Sequence, residues 1–335
     1  MRVFVYEFIT GGGLVEQPLG SALAHEGDLM VRALLRDLCD VPEVEVVATR
    51  DPRLAAPPSP AAVCVPRNAG EAAQFFARCV DTSDATWIVA PETDGVLEGL
   101  SSAVLARGGR LLGSRPPAIA VAASKRRTAA ALAWRGVPVV PAFDPCGTVP
   151  PFPGPAVLKP DDGAGCVDTR IYPGFESALS DWETRGRDAR TVLQPYVEGE
   201  AASLSLLVRE GRAVILAVNR QHVAQEHGQL RFRGCSVNGL AAWQGLLADL
   251  AQGIAEALPD LWGYVGVDLI LSDRGPRVLE VNPRLTTSYV GLRESIAANP
   301  ATWVLGLLDE GIPLPAAPAA LRCVEISAQP QYADA

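Results

Sequence analysis

No stretch of this 335-residue chain approaches the roughly 20 uninterrupted apolar residues that a membrane-spanning helix needs. The opening MRVFVYEFITGGG has too short an apolar run for a signal peptide and no cleavage-type end, so a cytoplasmic protein with no membrane partner is expected. Basic runs and RNA-binding signatures are missing. With a formal net charge of −9, that argues against nucleic acid or an anionic membrane as a partner. No cysteines are paired at zinc-binding spacing. The seven present are odd in number and scattered, and read as reduced thiols. His222, Glu226 and His227 are too loosely spaced for a zinc helix. Internal repeats are absent too. What is abundant is apolar residues, 48% of the chain, enough for a sizeable core and for two or three domains.

Strand and helix patterns alternate at the start. RVFVYEF (Arg2–Phe8) is an apolar strand running into Thr10-Gly11-Gly12-Gly13. Helical spacing follows over Glu26–Leu38, a second strand over Val44–Ala48 and a proline-rich loop over Asp51–Pro60. Ala69–Val80 reads as a helix and Ala85–Ala90 as a buried strand. This order predicts a parallel sheet with helices on both faces. Such sheets bind ligands just past the carboxyl ends of their strands. Gly12 and Gly13, where backbone can approach a substrate, and Glu92 and Asp94 of Pro91-Glu92-Thr93-Asp94-Gly95 are therefore site candidates. The glycines do not form GxGxxG, and a flexible turn accounts for them equally well; Thr93 or Asp94 could simply cap a helix.

A boundary is expected at Ser114–Pro117. A helix opens at Ser124-Lys125 and runs to Trp134, Val137–Phe143 reads as a strand, and a proline-rich loop follows. In AVLKPDDGAGC (Ala156–Cys166) a strand ends in Lys159 and runs into a small-residue loop, a pattern that cradles phosphate with backbone N–H groups. It is not GxxxxGK[ST], so the P-loop fold is not implied. Cys166 lies in that loop with no base beside it. Thr191–Tyr196 is a strand, and Ala202–Val208 and Ala213–Val218 form an antiparallel pair turned at Glu210-Gly211. Arg231–Ser236 reads as a polar insertion, Leu240–Leu258 as one long helix, Thr286–Leu308 as largely helical, and the tail from Pro313 as loosely packed.

The stretch GVDLILSDRGPRVLEVNPR (Gly266–Arg284) reads as two strands, Val265–Leu271 and Arg277–Asn282. Asp273-Arg274-Gly275 suits a three-residue hairpin loop, which sets Asp268 opposite Glu280. Alternation puts Glu280 and Asn282 on one face, with Leu269, Leu271, Leu279 and Val281 on the core side. Facing carboxylates repel unless a cation neutralises them, and hard oxygens of this kind take Mg²⁺ together with nucleotide phosphates.

The ordered set Lys125, Lys159 with its glycine loop, Gln194-Pro195-Tyr196-Val197-Glu198-Gly199-Glu200, Asp268 and Glu280-x-Asn282 resembles the ATP-grasp superfamily over roughly Ser114 to Leu308. The resemblance implies a Rossmann-like (pre-ATP-grasp) domain over 1–114 and two α+β subdomains, 115–190 and 191–312, that grip ATP, with a tail over 313–335. It implies that Lys125 and Lys159 contact phosphates, that the loop with Gly163, Ala164 and Gly165 folds over them, and that Gln194, Tyr196 and Val197 bind adenine. Glu200, with Glu198 second, would hold the ribose, and Asp268, Glu280 and Asn282 would hold Mg²⁺, for which Mn²⁺ could substitute. Arg284 matches the arginine that steadies an acyl phosphate, and with Lys159 would serve catalysis. YEFITGGG, HEGDLM (His25–Met30), APETDG (Ala90–Gly95), KPDDGAG and LEVNPR narrow the resemblance to the tyramine–glutamate ligases of methanofuran-type cofactor synthesis and their methylofuran counterparts. That implies small-molecule partners, glutamate and tyramine or tyrosine, and a homodimer as often seen in the family. Glu26 or Glu92 could steer the amine, and Arg233 and Arg293, with Arg231, are possible carboxylate anchors, although surface charge explains any one of them.

Overall fold

RVFVYE, EVVAT and ATWIV are almost wholly buried, the pattern of parallel strands covered on both faces. In the computed structural model, which describes residues 1–163, 165–188, 190–319 and 321–329, they become β1 (Arg2–Glu7), β2 (Glu45–Thr49) and β4 (Ala85–Val89). With β3 (Ala62–Cys64) they form a parallel sheet of order β3-β2-β1-β4, linked by α1 (Ser21–Cys39) and α2 (Ala69–Asp81) and followed by α3 (Val96–Ala106). The strand order reverses between β1 and β4, so the crevice for a ligand lies beyond their carboxyl ends. The turn Phe8–Gly13 and the segment Ala90–Asp94 meet there.

Two helices lead onward: α4 (Pro116–Ala122), which opens with proline at its first turn, and α5 (Lys125–Trp134), capped by Ser124, whose side chain accepts from Arg127 N–H. The rest of the described chain centres on one nine-stranded antiparallel sheet. Its strands are β5 (Ala156–Pro160), β6 (Arg170–Tyr172), β7 (Thr191–Pro195), β8 (Glu200–Arg209), β9 (Arg212–Glu226), β10 (Gln229–Val237), β11 (Gly263–Ser272), β12 (Gly275–Asn282) and β13 (Val324–Ser327). They run in the order β12-β11-β8-β9-β10-β6-β5-β7, with β13 paired to β10. Residues 137–143, expected as a strand, form no ladder. Instead Val139 bridges to Val278 of β12 and Phe143 to Leu193 of β7. Because β12 and β7 are the two ends of the sheet, this one segment ties both ends and the sheet curls.

The helices α6 (Phe175–Thr184), α7 (Ala248–Ala257), α8 (Tyr289–Ile296) and α9 (Pro300–Gly306) complete the fold. Alternate residues of β8 and β11, among them Leu204, Leu206, Val265, Val267 and Leu269, pack on α7. A second core joins α1 and β1 to Leu292 and Tyr289 of α8 and to Val237 of β10, so the parallel sheet is anchored on the back of the antiparallel one. Among the described residues no helix is long and apolar enough to cross a membrane.

Three expectations give way. Arg231–Ser236 is not an insertion but the middle of β10, with Cys235 buried; charged residues on the outer face disguise it. Leu240–Leu258 is not one helix: a 3-10 turn at Ala241–Trp243 precedes α7, with Gly245 between them weakening helical continuity. The tail is tied down by β13, whose Val324 and Ile326 pack against α8 beside Gly291.

Candidate active site

The hairpin β11–β12 brings Asp268 opposite Glu280, as its sequence predicts, but by a different route. The loop is shorter than expected, with Ser272 paired to Gly275. A bulge between Asp268 and Leu269 takes up the difference: Leu269 pairs with Val278, and Leu279 is the extra residue. Leu279 thereby leaves the core side, where Val278 takes its place, and lines a cleft of about 470 Å³ together with Ile270, Asp268, Glu280 and Asn282.

Asp268 accepts from Gln221 Nε2 at 2.8 Å and from Asn282 Nδ2 at 3.2 Å. Burial, then the facing Glu280, raise its carboxyl well above the usual carboxylate range. Burial pushes Glu280 the same way, but Lys125 and Lys159 outweigh it and hold that carboxyl down at about 2. Lys125 Nζ lies 3.1 Å from Glu280 Oε2 and donates to the carbonyl oxygens of Gly163 at 2.6 Å and Asp161 at 3.3 Å. Lys159, at the end of β5, is driven down to about 8 by burial and by Lys125, with Glu280 opposing. One pair of carboxylates thus stands beside one pair of lysine side chains in the cleft.

Among the described residues no three His, Cys, Asp or Glu side chains form a metal cluster, and His222 bonds to Ser236 and Glu325 instead. Asp268, Glu280 and Asn282 offer two carboxylates and an amide oxygen on one face. That donor set fits a hard cation that shares its remaining positions with phosphate oxygens and water, as Mg²⁺ does.

The glycine loop borders the cleft through Gly163, Gly165 and Cys166, whose thiol burial pushes up to about 12; Ala164 lies outside the described residues. At the other end Val140, Gln194, Tyr196 and Val197 line the wall. The Tyr196 N–H is already donated to Pro155 O at 2.9 Å, whereas that of Val197 finds no acceptor among the described residues. Of the three expected adenine contacts, Val197 alone therefore has its N–H free; Gln194 is buried, with its amide on Val140 O at 3.3 Å.

Other expectations need correcting. Glu200 faces away from the cleft and pairs with Arg220, because strand alternation gives the cleft positions to Ala201 and Ser203; Glu198 is exposed. Gly12 and Gly13 do not reach the cleft. A Cβ at Gly12 would lie 2.5 Å from Pro66 and one at Gly13 2.3 Å from the Phe8 ring, so close packing of the turn requires both. Arg233 pairs with Glu226, Arg231 bonds to Gln229, and Arg293 binds Asp37 and Asp40, tying α8 to α1.

Glu26 does line the cleft, and Glu92 reaches it through Arg284. Arg284, just past β12, reaches back across the molecule to Glu92: its Nη2 donates to Oε2 at 3.0 Å and its Nε lies 2.9 Å from Oε1. Burial opposes the charge on Arg284, yet Glu92 raises its pKa above the ordinary value. Next to Glu92, Thr93 Oγ1 donates to Asp162 O at 3.0 Å and Asp94 N–H to Asp162 Oδ2 at 3.4 Å, so this segment also holds the glycine loop. Sequence reasoning missed Gln221, Ser203, Thr286, Thr287, Ser288 and Phe232, which line the cleft from separate strands and a loop. Period-2 alternation along β8 could have suggested Ser203; the others carry no local signal.

Known proteins share this fold. Residues 122–288 match the ATP-grasp domain family and residues 44–119 the pre ATP-grasp 3 domain family. A tyramine–L-glutamate ligase of Methanocaldococcus jannaschii is 27% identical over 212 residues, covering 63% of this chain and 58% of that protein. One from Methanocaldococcus fervens is 36% identical over 107 residues, 32% of this chain and 34% of that protein. The chain thus matches only a third to under three-fifths of the length of these curated relatives. A crystal structure of an ATP-grasp superfamily protein from Archaeoglobus fulgidus superposes with a TM-score of 0.72 at 24% identity, covering 96% of this chain and 91% of that one. With both domain types matched in order and the fold shared throughout, the chain belongs to the ATP-grasp superfamily.

Proposed function

We propose that this chain is an ATP-dependent carboxylate–amine ligase that works through an acyl phosphate and joins the γ-carboxyl of L-glutamate to tyramine or tyrosine, releasing ADP and phosphate. The observation that carries the reading is the opposition of Asp268 and Glu280 to Lys125 and Lys159 within one cleft. Lys125 and Lys159 neutralise phosphate oxygens beside Gly163, Gly165 and Cys166. Asp268, Glu280 and Asn282 would hold a magnesium ion, which when bound would offset charge on the transferring phosphoryl group. Arg284, held on the cleft wall by Glu92, steadies the acyl phosphate. Each such contact typically lowers the barrier by about 2–4 kcal/mol. A carboxylate is a poor electrophile, so the protein's task is to hold it in line with the γ-phosphate and then admit an amine.

The relatives named as tyramine–L-glutamate ligases support these substrates. The test is mass spectrometry of the product from ATP, Mg²⁺, glutamate and a panel of amines, with phosphate release measured alongside. A glutamyl amide of tyramine or tyrosine supports the full reading. Turnover only with other amines keeps the ligase and changes the substrate; no phosphate release with a wide panel of acids and amines points to a nucleotide-binding regulator.

A further inference from the structure

Glu26 and Met30 are one helical turn apart on α1 and both line the cleft, which brings a side of the first domain into the chemical site. The approach of α1 is made possible by Gly27, where a Cβ would lie 2.9 Å from the buried Glu7 carboxylate. Arg284, Thr287, Ser288, Phe232 and Cys235 line the same cleft.

The acids of this cleft differ in one respect. Glu280 has Lys125, Glu92 has Arg284, and Asp268 has two amide donors. Glu26 makes no ion pair among the described residues, and its one hydrogen bond, from Thr287 Oγ1, is long at 3.4 Å. Its nearest guanidinium, Arg284, is already held by Glu92. A carboxylate set into a cleft wall, beside the thioether of Met30 and without a cation of its own, suits a ligand ammonium on an apolar chain. Burial raises its proton affinity, which also suits it to take up a proton.

Resting on the ligase reading, we infer that Glu26 receives the incoming amine: its carboxylate binds the reacting ammonium and removes one proton from it. An alkylammonium titrates near a lysine, at about 10, so at neutral pH nearly all of it arrives charged and without a lone pair. The proton passes from nitrogen to the Glu26 carboxylate. The free amine then attacks the acyl carbon, the C–N bond forms, and the C–O bond to phosphate breaks with its electron pair leaving on phosphate. The second N–H proton leaves with the released phosphate. Glu26 would thus select basic amines, while Met30 and Phe232 provide an apolar wall for the attached group.

Hydroxylamine separates this role from activation of the acid. It is much less basic than an alkylamine and enters uncharged at neutral pH, trapping the acyl phosphate as a hydroxamate. In Glu26→Gln, kcat/KM for the alkylamine should fall at least 100-fold, while ATP-dependent hydroxamate formation from the acid stays within about threefold of the parent. Glu26→Asp should recover part of the amine reaction. Parallel loss of hydroxamate formation in Glu26→Gln, with thermal unfolding at the parent temperature, would assign Glu26 to the acid substrate and overturn the inference. So would undiminished use of the alkylamine. If the parent protein forms no hydroxamate with any acid, the ligase reading fails first, an outcome distinct from either.

Discussion

Arg284 and Glu92 stand 192 residues apart in sequence and form a buried pair, with side chains 11% and 6% exposed. One comes from the end of the hairpin that carries the paired carboxylates, the other from the crevice of the parallel sheet. The pair therefore couples the first domain to the cleft, and Thr93 and Asp94 extend the same segment to the glycine loop.

Removing one member strips the other, still buried, of its direct counter-charge. Glu92→Gln should lower stability by about 3–5 kcal/mol in urea unfolding, the usual cost of breaking a buried pair on one side. A loss below about 1 kcal/mol would mean that solvent or another group already satisfies Arg284.

Glu280→Gln keeps the shape and removes the charge that both lysines face. Turnover should fall at least about 100-fold, the scale of a lost electrostatic contact in a site of this kind. The far-ultraviolet circular dichroism spectrum should not change. Full activity would remove Glu280 from any metal role.

Lys159 titrates near 8, so it is charged below that pH and neutral above it. On the proposed role of Lys159 at the ATP phosphates, kcat/KM for ATP should decline as pH rises through about 8. Lys159→Arg, which stays charged, should shift that decline upward or abolish it even if its overall rate is lower. An unchanged limb in the arginine variant would assign the titration to another group.

Gly234 in β10 has φ +142°, and a Cβ there would lie 2.1 Å from the carbonyl oxygen of Ile326 in β13. Gly234→Ala should therefore push β13 off its partner and cost about 1–3 kcal/mol, the range for a residue forced into strained backbone. Hydrogen exchange of residues 324–327 should quicken. Unaltered exchange would show that the tail strand is held by contacts other than this pairing.

Much of the parallel sheet was legible because its strands are short, apolar and separated by helical spacing, and the carboxylate hairpin because alternation and turn chemistry act locally. The bulge at Leu279 was not legible: a shorter loop and one extra residue compensate each other, leaving Asp268 opposite Glu280 either way. β10 was missed because Arg231 and Arg233 dominate a strand that turns Phe232 and Cys235 to the cleft. Glu200 shows the limit of carrying over a motif by position, since the parity of β8 turns it toward Arg220. Arg233 and Arg293 read as substrate anchors from charge alone; their acidic partners, Glu226 for one and Asp37 and Asp40 for the other, are fixed only by tertiary packing.

Oxygen transfer from the acid to phosphate tests the central claim most directly. Glutamate labelled with ¹⁸O in its γ-carboxyl, supplied with ATP, Mg²⁺ and the amine, should give inorganic phosphate carrying one ¹⁸O per turnover, because the acyl phosphate breaks between carbon and the labelled oxygen. Unlabelled phosphate released during formation of the γ-glutamyl amide would contradict an acyl-phosphate ligase.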